Sequence, residues 1–214
     1  MNDILNSLIK FSQDGGPFMY PIVIVLALGL AITLERWLHL SVAKARNRRM
    51  IKKLLPLIKK GDLNGAGQLA QKSNTAVGRI LVQGIENFKQ AKGRDDFEAV
   101  MDESVMEAIP RLEKRVHYLA MFANMATLLG LLGTIVGLIK AFTAVAQVDP
   151  SLKAEILSTS ISVAMNTTAF GLIVAIPLLL FYTMLQTKAT EIIDNLETTV
   201  VKFVNLLWRV KSRQ

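Results

Sequence analysis

The sequence predicts an all-α membrane protein with three transmembrane helices and a large helical cytoplasmic loop, its N-terminus outside and its C-terminus cytoplasmic. Three observations carry that prediction. Apolar residues make up 51% of the 214-residue chain, and the 20% that are charged are almost absent from three long windows. A bilayer imposes that segregation on a chain. Basic residues gather at one end of each window, and no segment shows the alternation of a strand.

Residues 1–16 place Ile4, Leu5, Leu8 and Ile9 at helical spacing before Gly15-Gly16-Pro17. A secretory signal would open on basic residues and close on a small-residue cleavage site. Asp3 and Asp14 stand here instead, with Lys10 the one positive charge. The segment reads as a periplasmic amphipathic helix resting on membrane lipids.

Residues 17–36 form the first span. Its apolar run from Pro17 to Leu34 covers roughly 27 Å as a helix, enough for the hydrocarbon core. Glu35, Arg36 and the interfacial Trp37 end it. Lys44, Arg46, Arg48, Arg49, Lys52 and Lys53 follow, and the positive-inside rule makes that end cytoplasmic.

Residues 37–117 form the cytoplasmic loop. Ile51, Leu54, Leu55 and Ile58 predict one short amphipathic helix. Gly61-Asp62, Asn64-Gly65 and Gly93 read as punctuation, and Asp95 with Glu98 resembles a capping box. A helix through Phe97, Val100, Met101, Val105 and Ile109 is expected to be kinked or interrupted by Pro110.

The second span, residues 118–140, is preceded by Arg111, Lys114 and Arg115; the third, 161–185, is followed by Lys188. Both basic flanks fall on the cytoplasmic side. The periplasmic loop between them, 141–160, carries only Asp149, Lys153 and Glu155, and residues 186–214 read as a cytoplasmic C-terminal helix. The net charge of +8 thus sits beside spans: residues 44–120 hold 16 Lys and Arg against 9 Asp and Glu. That placement fits topology and acidic lipid headgroups, so no nucleic-acid partner is expected.

Soluble chemistries find little support. His39 and His117 are the two histidines, neither with a second ligand at metal spacing, and there is no cysteine. No phosphate loop, HExxH pair or GxSxG elbow is present. Neither an enzyme nor a cofactor or metal site is expected.

The membrane spans are more informative. Asn124, Thr127, Leu131, Thr134 and Leu138 share one face of the second span, beside a run containing Gly130, Gly133 and Gly137. Small residues let helices approach closely in lipid. Any single threonine reads first as one that bonds its own i−4 carbonyl. The third span adds a neighbouring polar surface: Ser158, Ser162, Asn166 and Ala169 in one stripe, Ala164, Thr168, Gly171 and Ala175 in the next. Asn166-Thr167-Thr168 cover most of the helix circumference, so part of that ring faces protein or water. No span has Asp or Glu in its interior, whereas a proton relay needs a titratable group. Either the chain conducts nothing or a partner supplies the carboxylate.

Leu128-Leu129-Gly130-Leu131-Leu132-Gly133-Thr134, with Thr168-Ala169-Phe170-Gly171-Leu172-Ile173-Val174-Ala175-Ile176-Pro177 later in the chain, resembles the MotA/TolQ/ExbB proton-channel family. Three spans favour its ExbB/TolQ-like branch. The resemblance implies a homopentamer in the bacterial inner membrane around single-span partners of ExbD/TolR type, whose intramembrane Asp carries the ion. It implies an ion pathway along Thr134 and Thr168; Thr167 and Asn166 stand behind them as further candidates, and Gly130, Gly133, Gly137 and Gly171 are expected to serve helix packing. Two positions depart from the family pattern. Thr127 stands where a proline is common, and Val163 where many members carry a glutamate. Proton and sodium both remain open as the ion. The rival readings are a non-conducting membrane scaffold for a partner complex and a small-solute transporter; the chain has no internal repeat to suggest the latter.

Overall fold

A computed structural model describes residues 16–88 and 93–211. The helix expected over 1–16 falls outside them, Gly16 apart. Six helices follow in order: α1 Met19–Lys59, α2 Leu63–Gln71, α3 Ala76–Phe88, α4 Arg94–Glu113, α5 His117–Val145 and α6 Pro150–Lys211. No strand occurs among the described residues. Three helices are long and apolar enough to cross a membrane, in the regions of α1, α5 and α6.

The chain divides into two compact units. The first takes the residues up to Leu34 together with Arg115–Met184. Its core is a set of narrow stripes. Leu119, Ala123, Ala126, Gly130 and Gly133 are buried along α5. Ala164, Thr167, Gly171, Val174 and Leu178 are buried along α6. Both sets recur every three or four residues, the spacing that keeps one seam of a helix against a neighbour. Gly29 makes room for Leu178: a Cβ there would stand 2.6 Å from Leu178 Cδ2, which fits α1 closely against α6. The outward faces are large and apolar, with Leu128 62%, Ile139 60% and Leu180 60% exposed. A water-soluble surface does not sustain such a continuous apolar face, whereas hydrocarbon does.

The second unit takes Glu35–Lys114 and the residues from Leu185 onward. Leu40, Met50, Leu54 and Ile58 continue a buried stripe on α1, and Leu196, Val200, Phe203 and Leu207 do so on α6. Phe88 meets Phe97 edge-on at 5.3 Å and Trp208 at 5.7 Å, and Phe97 lies 6.4 Å from Phe203. Gly84 on α3 accepts this cluster, since a Cβ there would stand 2.7 Å from Phe203 and 2.6 Å from the Met101 sulfur.

Several local expectations are revised. Ile51–Ile58 is the end of α1, so the expected short helix is one with the first span's helix. Asn64-Gly65 lies inside α2, because Asp62 caps it by accepting from Gly65 N–H at 2.8 Å. Gly93 is the N-cap of α4 without a side-chain cap bond, and Glu98 pairs with Arg94 at 2.8 Å, which replaces the expected capping box. Pro110 stays within α4. The interruption comes at 114–116, where Arg115 turns left-handed at φ 65°. Between α5 and α6 only residues 146–149 lie outside helix, far fewer than the loop expected over 141–160.

Candidate functional site

The seam between α5 and α6 brings Thr134 and Thr168 together. Each helix would ordinarily absorb its own threonine, the hydroxyl donating to the carbonyl four residues earlier. Thr127 does this to Ala123 O at 3.1 Å and Thr167 to Val163 O at 3.0 Å. Thr168 instead donates across to Gly130 O at 2.9 Å, and Gly130 is the i−4 carbonyl of Thr134. Thr134 lies 3.3 Å from Ala164 O, the i−4 carbonyl of Thr168, and equally 3.3 Å from Gly130 O. The two hydroxyl oxygens also contact each other. The result is a reciprocal clasp in which each threonine reaches the carbonyl its partner would have used.

Glycines make the clasp possible. A Cβ on Gly130 would stand 3.2 Å from Thr167 O and Thr168 Cα; one on Gly171 would stand 2.6 Å from Ala126 O. These are backbone atoms, which cannot swing aside. Gly133 lies under the Thr167 methyl and Phe18, and Gly137 under Ala164, where a Cβ would stand 2.8 Å from the Ala164 Cβ. All four glycines singled out in the sequence therefore lie at helix contacts.

The remaining candidates lie apart from the clasp. Thr167 is 2% exposed, with its hydroxyl directed to its own helix and its methyl to Gly133. Asn166 is half-buried. It shares an outward stripe with the exposed Ser158, Ser162 and Ala169. Asn124, Thr127 and Leu131 on α5 are likewise exposed. Only Thr134 and Leu138 of the face expected on α5 turn toward partial burial, because the small residues one step round the helix take the seam.

Sequence reasoning missed Arg36. It is 5% exposed, holds Glu35 Oε1 at 3.3 Å, and leaves Nε and Nη1 buried without partners among the described residues. The signal was available: Arg36 and Thr33 continue the stripe Met19, Ile22, Val25, Gly29 at spacings of three and four.

Chemically the clasp offers hydroxyls and carbonyls, groups that hold water or a cation but exchange no proton near neutrality. No cluster of metal-ligating side chains occurs among the described residues. Long apolar helices and a hydroxyl seam without an interior carboxylate define a multi-pass helical membrane protein with polar groups placed inside its spans. A profile of the MotA/TolQ/ExbB proton channel family matches residues 72–198, more than half of the chain and the whole of this seam. The chain belongs to that family. It is 28% identical over 206 residues to the biopolymer transport protein exbB1 of Vibrio cholerae, covering 94% of this chain and 89% of the relative. It is 26% identical to the putative biopolymer transport protein ExbB-like 3 of Synechocystis, over 78% of this chain and 79% of the relative. A third relative, the Tol-Pal system protein TolQ of Haemophilus influenzae, is 29% identical over 51% of this chain and 47% of its own. These relatives support the ExbB/TolQ-like branch within a family of membrane energy transduction.

Proposed function

We propose that the chain is the pore-forming subunit of a bacterial inner-membrane motor complex that couples proton or sodium flow to work on the periplasm or cell envelope. Five copies surround single-span partners of ExbD/TolR type, and the partner's intramembrane Asp carries the ion. One observation carries this reading. Ser162 and Asn166 on α6 and Asn124 on α5 lie exposed or half-buried within the apolar spans. Such groups are costly against lipid and favour a protein or water neighbour. The spans contribute no carboxylate of their own to that neighbour. Thr134 and Thr168 line the ion path, with Thr167 holding the seam behind them and Asn166 on the stripe beside it.

The test is reconstitution. The lone subunit in liposomes passes few or no ions, and flux appears when the single-span partner is added and vanishes when that partner's Asp becomes Asn. Substantial ion-selective flux from the lone subunit refutes the assignment. A second reading, a non-conducting scaffold, draws on the clasp itself. Thr168 spends its one hydrogen on Gly130 O and Thr134 has Thr168 Oγ1 or Ala164 O for its own, so both hydroxyls are satisfied inside the seam and need no ion to explain them. Flux that survives removal of both hydroxyls favours it.

A further inference from the structure

A basic, open surface groove of about 340 Å³ in the second unit is unrelated to the ion-path residues. Arg46, Arg49 and Lys53 enter its wall from α1, and Lys72, Ser73 and Thr75 from the connection between α2 and α3. The three α1 residues lie at i, i+3 and i+7, so they share one helix face and repel one another. No carboxylate lines the cavity, and none of the four cations has an ion pair among the described residues. Elsewhere in the same unit Lys44 is paired with Glu191 and Arg94 with Glu98. Four exposed like charges kept around one groove without a counter-ion form a site of positive potential, screened by salt. Thr75 caps α3 by accepting from Gly78 N–H at 3.0 Å, which adds the positive end of a 13-residue helix to the same wall.

A lipid headgroup is the obvious anion, but it is out of reach. Trp37, the interfacial aromatic, precedes Arg46 by nine residues and Lys53 by sixteen on the unbroken helix α1. At 1.5 Å per residue these cations sit about 14 to 24 Å beyond the interface, and about 10 to 18 Å beyond it at a 40° tilt. The headgroup layer is only about 5 to 7 Å deep on each side. The anion therefore comes from the aqueous phase. A site of this size is at the small end of the range for compact ligands; Ser73 and Thr75 spend their hydroxyls on Ala70 O and on each other, so the four cations carry the recognition, and they suit clustered phosphate oxygens better than a single carboxylate.

We propose that this cavity binds a soluble oligophosphate, of the pyrophosphate or nucleoside di- and triphosphate class. Isothermal titration of the full detergent-solubilised chain with sodium pyrophosphate is expected to show saturable binding that weakens with added salt. The double variant Arg49→Gln/Lys72→Gln is expected to bind about tenfold or more weakly, because two charge-assisted contacts are lost. Lys59→Gln/Lys60→Gln, outside the cavity, removes the same charge and is expected to stay within about twofold of the parent, since distant exposed charges are screened. Matching melting temperatures verify that both doubles are folded. Absence of saturable binding up to about 10 mM overturns the proposal, a concentration about tenfold above a millimolar site. Equal weakening in the two doubles overturns it in favour of diffuse charge. Pyrophosphate that fails to bind while an oligoglutamate peptide does, or while phosphatidylglycerol is retained in native mass spectra and lost from Arg49→Gln/Lys72→Gln, assigns the cavity to an acidic peptide or to lipid.

Discussion

Gly171→Ala places a methyl group where the α5 backbone already stands. The new Cβ would lie 2.6 Å from Ala126 O and 3.1 Å from Gly130 Cα. Ordinary contact requires the helices to part by about 0.8 Å, and overpacking of this kind costs about 1–3 kcal/mol. Alanine returns about 1 kcal/mol through helix propensity. Parting by that amount also stretches the 2.9 Å bond from Thr168 to Gly130 O to about 3.7 Å, beyond hydrogen-bond reach. A polar contact between membrane helices contributes about 0.6 kcal/mol on average and up to about 1.7. The net expectation is a destabilisation of about 1–3 kcal/mol, read from reversible unfolding in mixed micelles. Part of that cost belongs to the clasp, so the same substitution in a Thr168→Val background is expected to cost about 0.6 kcal/mol less, the two sites sharing one interaction. An alanine variant as stable as the parent, or an equal cost in both backgrounds, refutes the close-seam account.

Three further outcomes are expected. Thr168→Val keeps the assembly and destabilises it by no more than about 1.7 kcal/mol; partner-dependent flux is lost with it and largely retained in Thr168→Ser, measured in proteoliposomes, and normal flux in both Thr134→Val and Thr168→Val removes the pair from the ion path. Phe97→Ala empties the centre of the aromatic cluster in the second unit and lowers stability by about 3–5 kcal/mol, followed by chemical denaturation; a loss below about 1 kcal/mol would mean that the cluster is not a core. In this cysteine-free chain, Ser151→Cys reacts with an impermeant thiol reagent applied outside and Asn74→Cys does not, and the reverse labelling overturns the orientation drawn from basic flanks.

The spans were legible because hydrocarbon admits only one reading of twenty apolar residues, whatever their order. Their ends were less so. Residues 150–160 carry Ser, Lys, Glu and Ala, a polar composition that is as compatible with a helix as with a loop, and they belong to α6. Pro110 was expected to mark the break before the second span, but α4 carries it, without the bond an N–H would return to Met106 O, and ends only at Glu113. The left-handed Arg115 that makes the break has no sequence signal, since Gly or Asn would normally occupy such a position. At the site, the residue types were readable and their pairing was not. Spacing placed Thr134 and Thr127 on one face, yet one clasps its neighbour and the other bonds its own helix. The difference lies in Gly130 and Gly171, which bring the backbones together at one level of the seam.

Helix α6 runs for 62 residues, about 93 Å along its axis, with its backbone hydrogen-bond ladder missing a rung at one interior position. A rod of that kind resists bending and twisting along most of its length. Pro177, nine residues past Thr168, is the one interior position that lacks an N–H and so cannot return a bond to Ile173. Stiffness is therefore uneven: the helix has a compliant joint about 14 Å from the clasp and rigid shafts on either side of it.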